Sequence, residues 1–309
     1  MQLTSINTIE ATLELVTGLR IGAGDAEMHI GGVDNTVVKH PLTQAPYIPG
    51  SSLKGKMRSL LEWRSGAVRE APLDKQAYDQ SSSAVQAEVK RILQLFGVGG
   101  GELKDAADFA KELGPTRLSF WDCALCPEWE QQVRDNNQML TEVKSENRIN
   151  RISGVAEHPR NTERVPSGAR FIFRLSVKQL SGDSDGLLDT VLQGMKLIEH
   201  DSLGGSGSRG YGKVKFTALR INGADQQSRF DAVKPFPEKG VYMSNALLAQ
   251  KIYEAAQTLP DSQAQETRDF IHFLNAPKEI AEHRDLQQAQ QPVMDSIWNN
   301  EIDEAWNHV

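Results

Sequence analysis

Cysteine is scarce: Cys123 and Cys126 are the only two in 309 residues. Two thiols three positions apart cannot staple a chain of this length, which excludes a disulfide-built scaffold and fits a reducing, cytoplasmic setting. Long hydrophobic runs are missing too. No apolar stretch approaches the roughly 18 residues that span a bilayer, so the sequence predicts no membrane partner. The opening MQLTSINTIEATLEL has no basic segment followed by an apolar one, which argues against a secretory signal. An excess of positive charge is also lacking, since the net charge is −7. Its distribution tells more than its sum. Residues 1–220 carry 27 basic and 27 acidic side chains, whereas residues 221–309 carry 7 and 14. Between Lys144 and Lys178 eight basic residues face only Glu146, Glu157 and Glu163. A neutral body with a basic patch and an acidic tail suits RNA binding, and suits an ordinary enzyme equally well.

A completed phosphate loop is the next absence. Gly50 to Lys56 in GSSLKGKMRSLLEW fits G-x-x-x-x-G-K, but Met57 stands where a P-loop needs the hydroxyl that holds magnesium. Gly207 to Lys213 in LGGSGSRGYGKVKF repeats the spacing with Val214 in that position. Gly205, Gly207 and Gly210 satisfy G-x-G-x-x-G, yet they follow a helical stretch and precede a strand, the reverse of a dinucleotide fingerprint. Nucleotide hydrolysis and dinucleotide binding are therefore disfavoured. Phosphate contact survives. Ser51, Ser52 and a helix start offer N–H groups to any phosphate, and Lys54 and Arg58 lie four apart on one helical face. The second loop lets another backbone come close, with Arg209 and Lys213 for charge. The plain alternative is a helix cap with a solvated basic face, and a flexible turn.

The periodicities predict an α+β chain. Residues 7–21 alternate as a strand, and Ser51 onward is a capped helix with Leu53, Met57, Leu60 and Leu61 on its apolar face. Ser81–Phe96 is a second helix, and Arg117–Leu125 a strand. Residues 131–166 are polar without sustained period, which marks a functional excursion or partial disorder. Ala169–Leu180 returns to a sheet, Gly186–His200 is an amphipathic helix, and Gly212–Ile221 a last strand. This order suggests a relative of the ferredoxin-like βαββαβ plan. Residues 1–220 form one expected domain, and residues 221–309 a separate, acidic, mainly helical extension.

Four segments together resemble a known family. They are TGLRIG (Thr17–Gly22), IGGVDNTVVKHPLTQAPYIPGSSLKGKMRSLLE (Ile30–Glu62), TEVKSENRINRISGVAEHPRNTERVPSGARF (Thr141–Phe171) and LGGSGSRGYGKVKF (Leu203–Phe216). In this order, over roughly residues 7–220, they are similar to the RAMP-superfamily backbone subunit of type III-A (Csm-type) CRISPR effector complexes. The resemblance implies a modified ferredoxin-like/RRM palm with an inserted thumb hairpin at about 131–166. It implies subunits stacked head to tail along a CRISPR RNA beside other subunits of the complex. It also implies cleavage of complementary target RNA at regular intervals, dependent on a divalent metal (Mg2+ or Mn2+). By its place in GG-x-DN, Asp34 is the implied catalytic and metal-holding residue. From its residues alone, Asp34-Asn35 reads as an Asx turn. Where many relatives read TGLHIG this chain has Arg20, which points to RNA contact or structural support.

Other residues carry weaker signals. Arg148, Arg151, Arg160 and Arg164 suit a guide–target duplex, or an exposed charged hairpin. Tyr211 stacks on a base or packs against the sheet. Cys123 and Cys126 read as structural cysteines, since a zinc site needs four ligands and only His158 and His200 offer themselves. His29 lies near Asp34 in the same loop. Two rivals to the cleaving subunit stand: a non-catalytic RNA-binding scaffold of the same kind, and a nucleotide-dependent enzyme.

Overall fold

A computed structural model describes residues 2–24, 35–98, 107–184, 186–236 and 263. The chain opens with β1 (Leu3–Leu15), α1 (Gly50–Ser65), α2 (Lys75–Gln80), α3 (Ser83–Phe96) and α4 (Ala107–Leu113). It continues through β2 (Leu118–Phe120), α5 (Pro127–Asp135), β3 (Glu142–Ile149), β4 (Ala156–Arg164) and β5 (Arg170–Leu180). α6 (Leu187–His200), β6 (Val214–Ile221), β7 (Ala224–Asp225) and α7 (Gln227–Asp231) follow.

The five-stranded sheet has the order β2-β5-β1-β6-β7, with every pairing antiparallel. β1 is central because its period-2 alternation buries Ile9, Ala11, Leu13 and Leu15 on one face. Leu13 pairs with Phe171 of β5 on one side and Phe216 of β6 on the other. With α1 and α6 as crossovers, this is the βαββαβ plan, and the β3–β4 hairpin is inserted between its second and third strands. The predicted first strand differs at both ends. It begins at Leu3 and stops at Leu15, where alternation lapses at Val16-Thr17-Gly18, and Leu19 and Gly22 make only isolated bridges.

Helices cover one face of the sheet. Leu53, Met57 and Leu61 of α1 are fully buried, and α1 packs closely on α6 at Gly194. A Cβ there would lie 2.7 Å from Met57 Cγ, so only glycine lets the two helices approach. Phe216 meets Phe173 edge-on at 4.9 Å and Phe230 at 6.1 Å. Phe230 belongs to α7, so residues beyond 220 still complete the palm. The first compact unit runs to Phe236 and the second covers 237–309; beyond residue 236 the expected helical extension lies outside the described residues, apart from residue 263. Among the described residues no helix is long and apolar enough to cross a membrane.

Candidate nucleic-acid interface

The polar stretch after residue 131 resolves into the end of α5 and then a two-stranded hairpin. β3 and β4 pair from Glu142↔Arg164 to Ile149↔Ala156, with a register shift between Glu146 and Arg148. Neither strand carries a buried apolar face, which is why periodicity missed it. The hairpin holds instead through its turn, where Asn150 donates to Glu157 and accepts from the N–H groups of Ile152 and Ser153. Arg148, Arg151 and Arg160 are exposed on it, and Ile152 at its tip is 99% exposed.

The hairpin base docks on the glycine-rich loop through Tyr211. That ring is fully buried, with Lys144 Nζ 4.5 Å and Arg164 Cζ 5.0 Å from its centroid. Tyr211 is therefore not presented to a base, a correction to the stacking role considered for it. Arg164 is likewise engaged, with its Nε 2.7 Å from Glu142. Glu146 bridges hairpin and loop: one carboxylate oxygen lies 3.2 Å from Lys144 and the other 3.1 Å from Arg209. Burial pushes its carboxyl up, but Tyr211, Arg209 and Lys144 together hold it below the usual carboxylate range. Burial, followed by the hydrogen bond to Glu146 and then its charge, pushes the Tyr211 phenol up. Lys144, Glu146, Asn147, Arg148, Arg160 and Arg209 line a groove of about 530 Å3.

The loop's glycines mainly serve the chain's own packing. A Cβ at Gly204 would lie 2.3 Å from the Arg20 carbonyl oxygen, and one at Gly212 1.9 Å from that of Leu203. Gly205 donates its N–H to Arg20 O, and a Cβ at Gly207 would strike Ser202 Oγ at 2.0 Å. Of the three glycines singled out for backbone approach, Gly210 alone has nothing within 4 Å. Gly205, through its N–H, and Gly207, through its lack of a Cβ, also serve the chain's own packing.

Arg20 holds the end of the segment that carries the aspartate motif. Its Nη2 donates to Asn35 Oδ1 at 2.7 Å, and Asn35 O accepts from Glu163 N–H at 3.0 Å. Glu163, buried at the base of β4, also accepts from Val37 N–H, Lys39 Nζ and Thr141 Oγ1. Burial pushes its carboxyl up, yet these donors hold it below the usual range. Asp34 and His29 lie outside the described residues.

The start of α1 is arranged differently from expectation. Pro49 is the N-cap and makes no side-chain cap bond, so Ser51 and Ser52 are first-turn residues rather than caps. The Gly50 N–H is already taken by Asp122 Oδ1 at 2.7 Å, and Ser52 N–H turns back to Pro49 O. Arg58 points inward: its three nitrogens reach Glu62, Gly97 O and Leu73 O at 2.7–3.1 Å. It is corrected from an RNA contact to a structural residue. Lys54 is half-buried and has no ion pair among the described residues. Ser51, Ser52, Lys54 and Arg58 do not line the groove.

Lys144 and Glu146 were missed as groove residues, although Lys144-x-Glu146-x-Arg148 shares one face of a strand at period 2. Asp122 and Glu163 gave no sequence signal, because each acts on a segment more than 70 residues away. Cys123 is buried and its thiol is pushed up to about 12, chiefly by burial; Cys126 is raised for the same first reason. Both are free thiols, and among the described residues no three His, Cys, Asp or Glu gather where they could hold a metal.

Fold and groove define an α+β protein of the ferredoxin-like class with a basic hairpin docked on a glycine-rich loop. The RAMP superfamily matches residues 12–215. The "CRISPR system Cms endoribonuclease Csm3" of Methanothermobacter thermautotrophicus is 39% identical over 218 residues, 66% of this chain and 81% of that protein. Its namesake from Mycobacterium tuberculosis is 38% identical over 230 residues, 70% of this chain and 88% of that protein. Among solved structures, a chain of a Csm3–Csm4 subcomplex from a type III-A CRISPR-Cas interference complex aligns with a TM-score of 0.42 at 27% identity, covering 72% of this chain and 80% of that one. The chain belongs to the RAMP superfamily and, within it, to the Csm3 family.

Proposed function

We propose that this chain is a backbone subunit of a type III-A CRISPR ribonucleoprotein, binding CRISPR RNA along its length and cleaving complementary target RNA at regular intervals. The observation that carries the reading is kinship: relatives 38–39% identical over at least four-fifths of their own length are named CRISPR endoribonucleases. The basic groove supports it, since cations that converge from a hairpin and a loop suit a phosphate backbone. Arg148, Arg160 and Arg209 would grip phosphates, and the exposed tip around Ile152 would part guide from target. A parted strand can bring its 2′-hydroxyl in line with the scissile phosphate.

Asp34 is the proposed catalytic carboxylate, with Mg2+ or Mn2+ as its metal. Asp34 would supply a protein carboxylate to that metal. Magnesium is commonly held in this way, by one or two carboxylates plus phosphate oxygens and water. Further copies of the chain, stacked head to tail, and other subunits of the complex are the proposed protein partners, in the cytoplasm.

The test uses the purified complex, a matched target RNA and Mg2+ or Mn2+. Asp34→Ala should abolish the regularly spaced products and retain target binding. Products that persist in the variant would remove Asp34 from the reaction.

A further inference from the structure

The groove between hairpin and loop contains one carboxylate among four cations. That carboxylate, Glu146, is placed where it competes with a phosphate. Its two oxygens each engage one cation, Lys144 from β3 and Arg209 from the glycine-rich loop. Arg148 and Arg160, which line the same groove, have no carboxylate partner among the described residues. Arg209 is 61% exposed while Glu146 is 19% exposed, so the arginine can leave the pair toward solvent far more easily than the glutamate can. Beside Glu146 lies the buried Tyr211 hydroxyl, turned toward the carboxylate and helping to keep it charged. A buried hydroxyl needs a partner, so this donor stays with the carboxylate when its cations depart.

We propose that Glu146 is a built-in counter-anion of the groove: it holds Lys144 and Arg209 until an RNA phosphate displaces it, and so limits the affinity and salt sensitivity of RNA binding. This rests on the reading of the groove as an RNA site. Each phosphodiester that enters gains two cations only by breaking their bonds to Glu146, which weakens every RNA alike regardless of sequence. For a subunit that must seat one long strand across many copies, a weakened grip permits register to be corrected before the strand is fixed.

The experiment measures binding of a fluorescent oligouridylate to the full-length chain across a range of salt concentrations. Glu146→Gln should tighten binding roughly three- to tenfold, the scale of two partly exposed ion pairs. It should also steepen the slope of log K against log salt by about 0.7, one further phosphate neutralised on a single strand. Arg148→Ser with Arg160→Ser should weaken binding and flatten the slope. In an Arg209→Gln background the gain from Glu146→Gln should shrink, because one of its two partners is gone.

The outcomes separate the two ideas. If the Arg148/Arg160 variant binds as the parent does, the groove is not the RNA site and the underlying reading falls. If that variant weakens binding but Glu146→Gln does not tighten it, the counter-anion role is overturned while the RNA site stands. An undiminished gain in the Arg209→Gln background overturns it as well. A thermal melt of each variant guards against misfolding, and Glu146→Ala repeats the charge removal with a different side chain.

Discussion

Arg20 Nη2 donates to Asn35 Oδ1 at 2.7 Å, which joins the TGLRIG segment to the residue that follows Asp34. The same arginine gives its backbone oxygen to Gly205 N–H at 2.9 Å. One residue thus ties the aspartate motif and the glycine-rich loop together. Arg20→Ala should lower target cleavage about tenfold, since small misplacements of a reacting group are expensive, and change target affinity less. Asn35→Ala should do the same, and the double variant should be little worse than either single one. Additive losses in single-turnover cleavage would show that the two side chains act separately.

Arg58 and Lys54 lie four apart on α1 and look equivalent in sequence, yet the fold gives them opposite fates. Arg58 closes a buried network with Glu62, Gly97 and Leu73. Removing it leaves Glu62, which is 6% exposed, with the Leu73 N–H but without its charged partner. Arg58→Ala should therefore cost about 3 kcal/mol of stability and leave the salt slope of RNA binding unchanged. Lys54→Ala should leave stability within about 0.5 kcal/mol. Urea unfolding of both variants checks this, and equal midpoints would sink it.

The contrast shows what was readable in the sequence. Strand and helix order was legible, because β1, β5, β6 and α6 each bury a face with a clear period. The hairpin was visible only as a polar excursion, since a strand pair without a core has no apolar alternation to detect. Site residues were legible by type and not by direction. Arg58, Arg148 and Arg209 are all basic residues in plausible segments, but only tertiary packing decides which guanidinium turns inward. Tyr211 shows the same limit: an aromatic beside glycines reads as a stacking platform until Lys144 and Arg164 are found covering it.

Arg117 and Asp183 form a bidentate pair at 2.7 and 3.0 Å, with side chains 1% and 3% exposed. Burial pushes the Asp183 carboxyl up, but Arg117 and the Leu180 N–H outweigh it, so the group sits below its ordinary value. A depressed carboxyl stabilises the fold above the unfolded value of about 3.9, and that stability is lost as pH falls through the folded value. Urea midpoints should hold steady down to about pH 4 and then drop. Asp183→Asn should destabilise the protein at neutral pH by about 3 kcal/mol and fall less steeply on acidification. Glu146 and Glu163 are depressed as well, so the variant's curve should flatten in part only.

The end of the palm can be found by shortening the chain. Gln227 accepts from Leu219 N–H and donates to Phe216 O, while Phe230 is fully buried against Phe216. A chain ending after Phe236 keeps these contacts and should melt within a few degrees of the parent. A chain ending after Ile221 exposes the site that Phe230 fills. Losing a buried phenylalanine costs about 3–5 kcal/mol, which corresponds to a fall of roughly 6–20 °C at this size. Phe230→Ala in the full chain should reproduce most of that fall. Matching melts for the two shortened chains would place α7 outside the palm and return the boundary to residue 220.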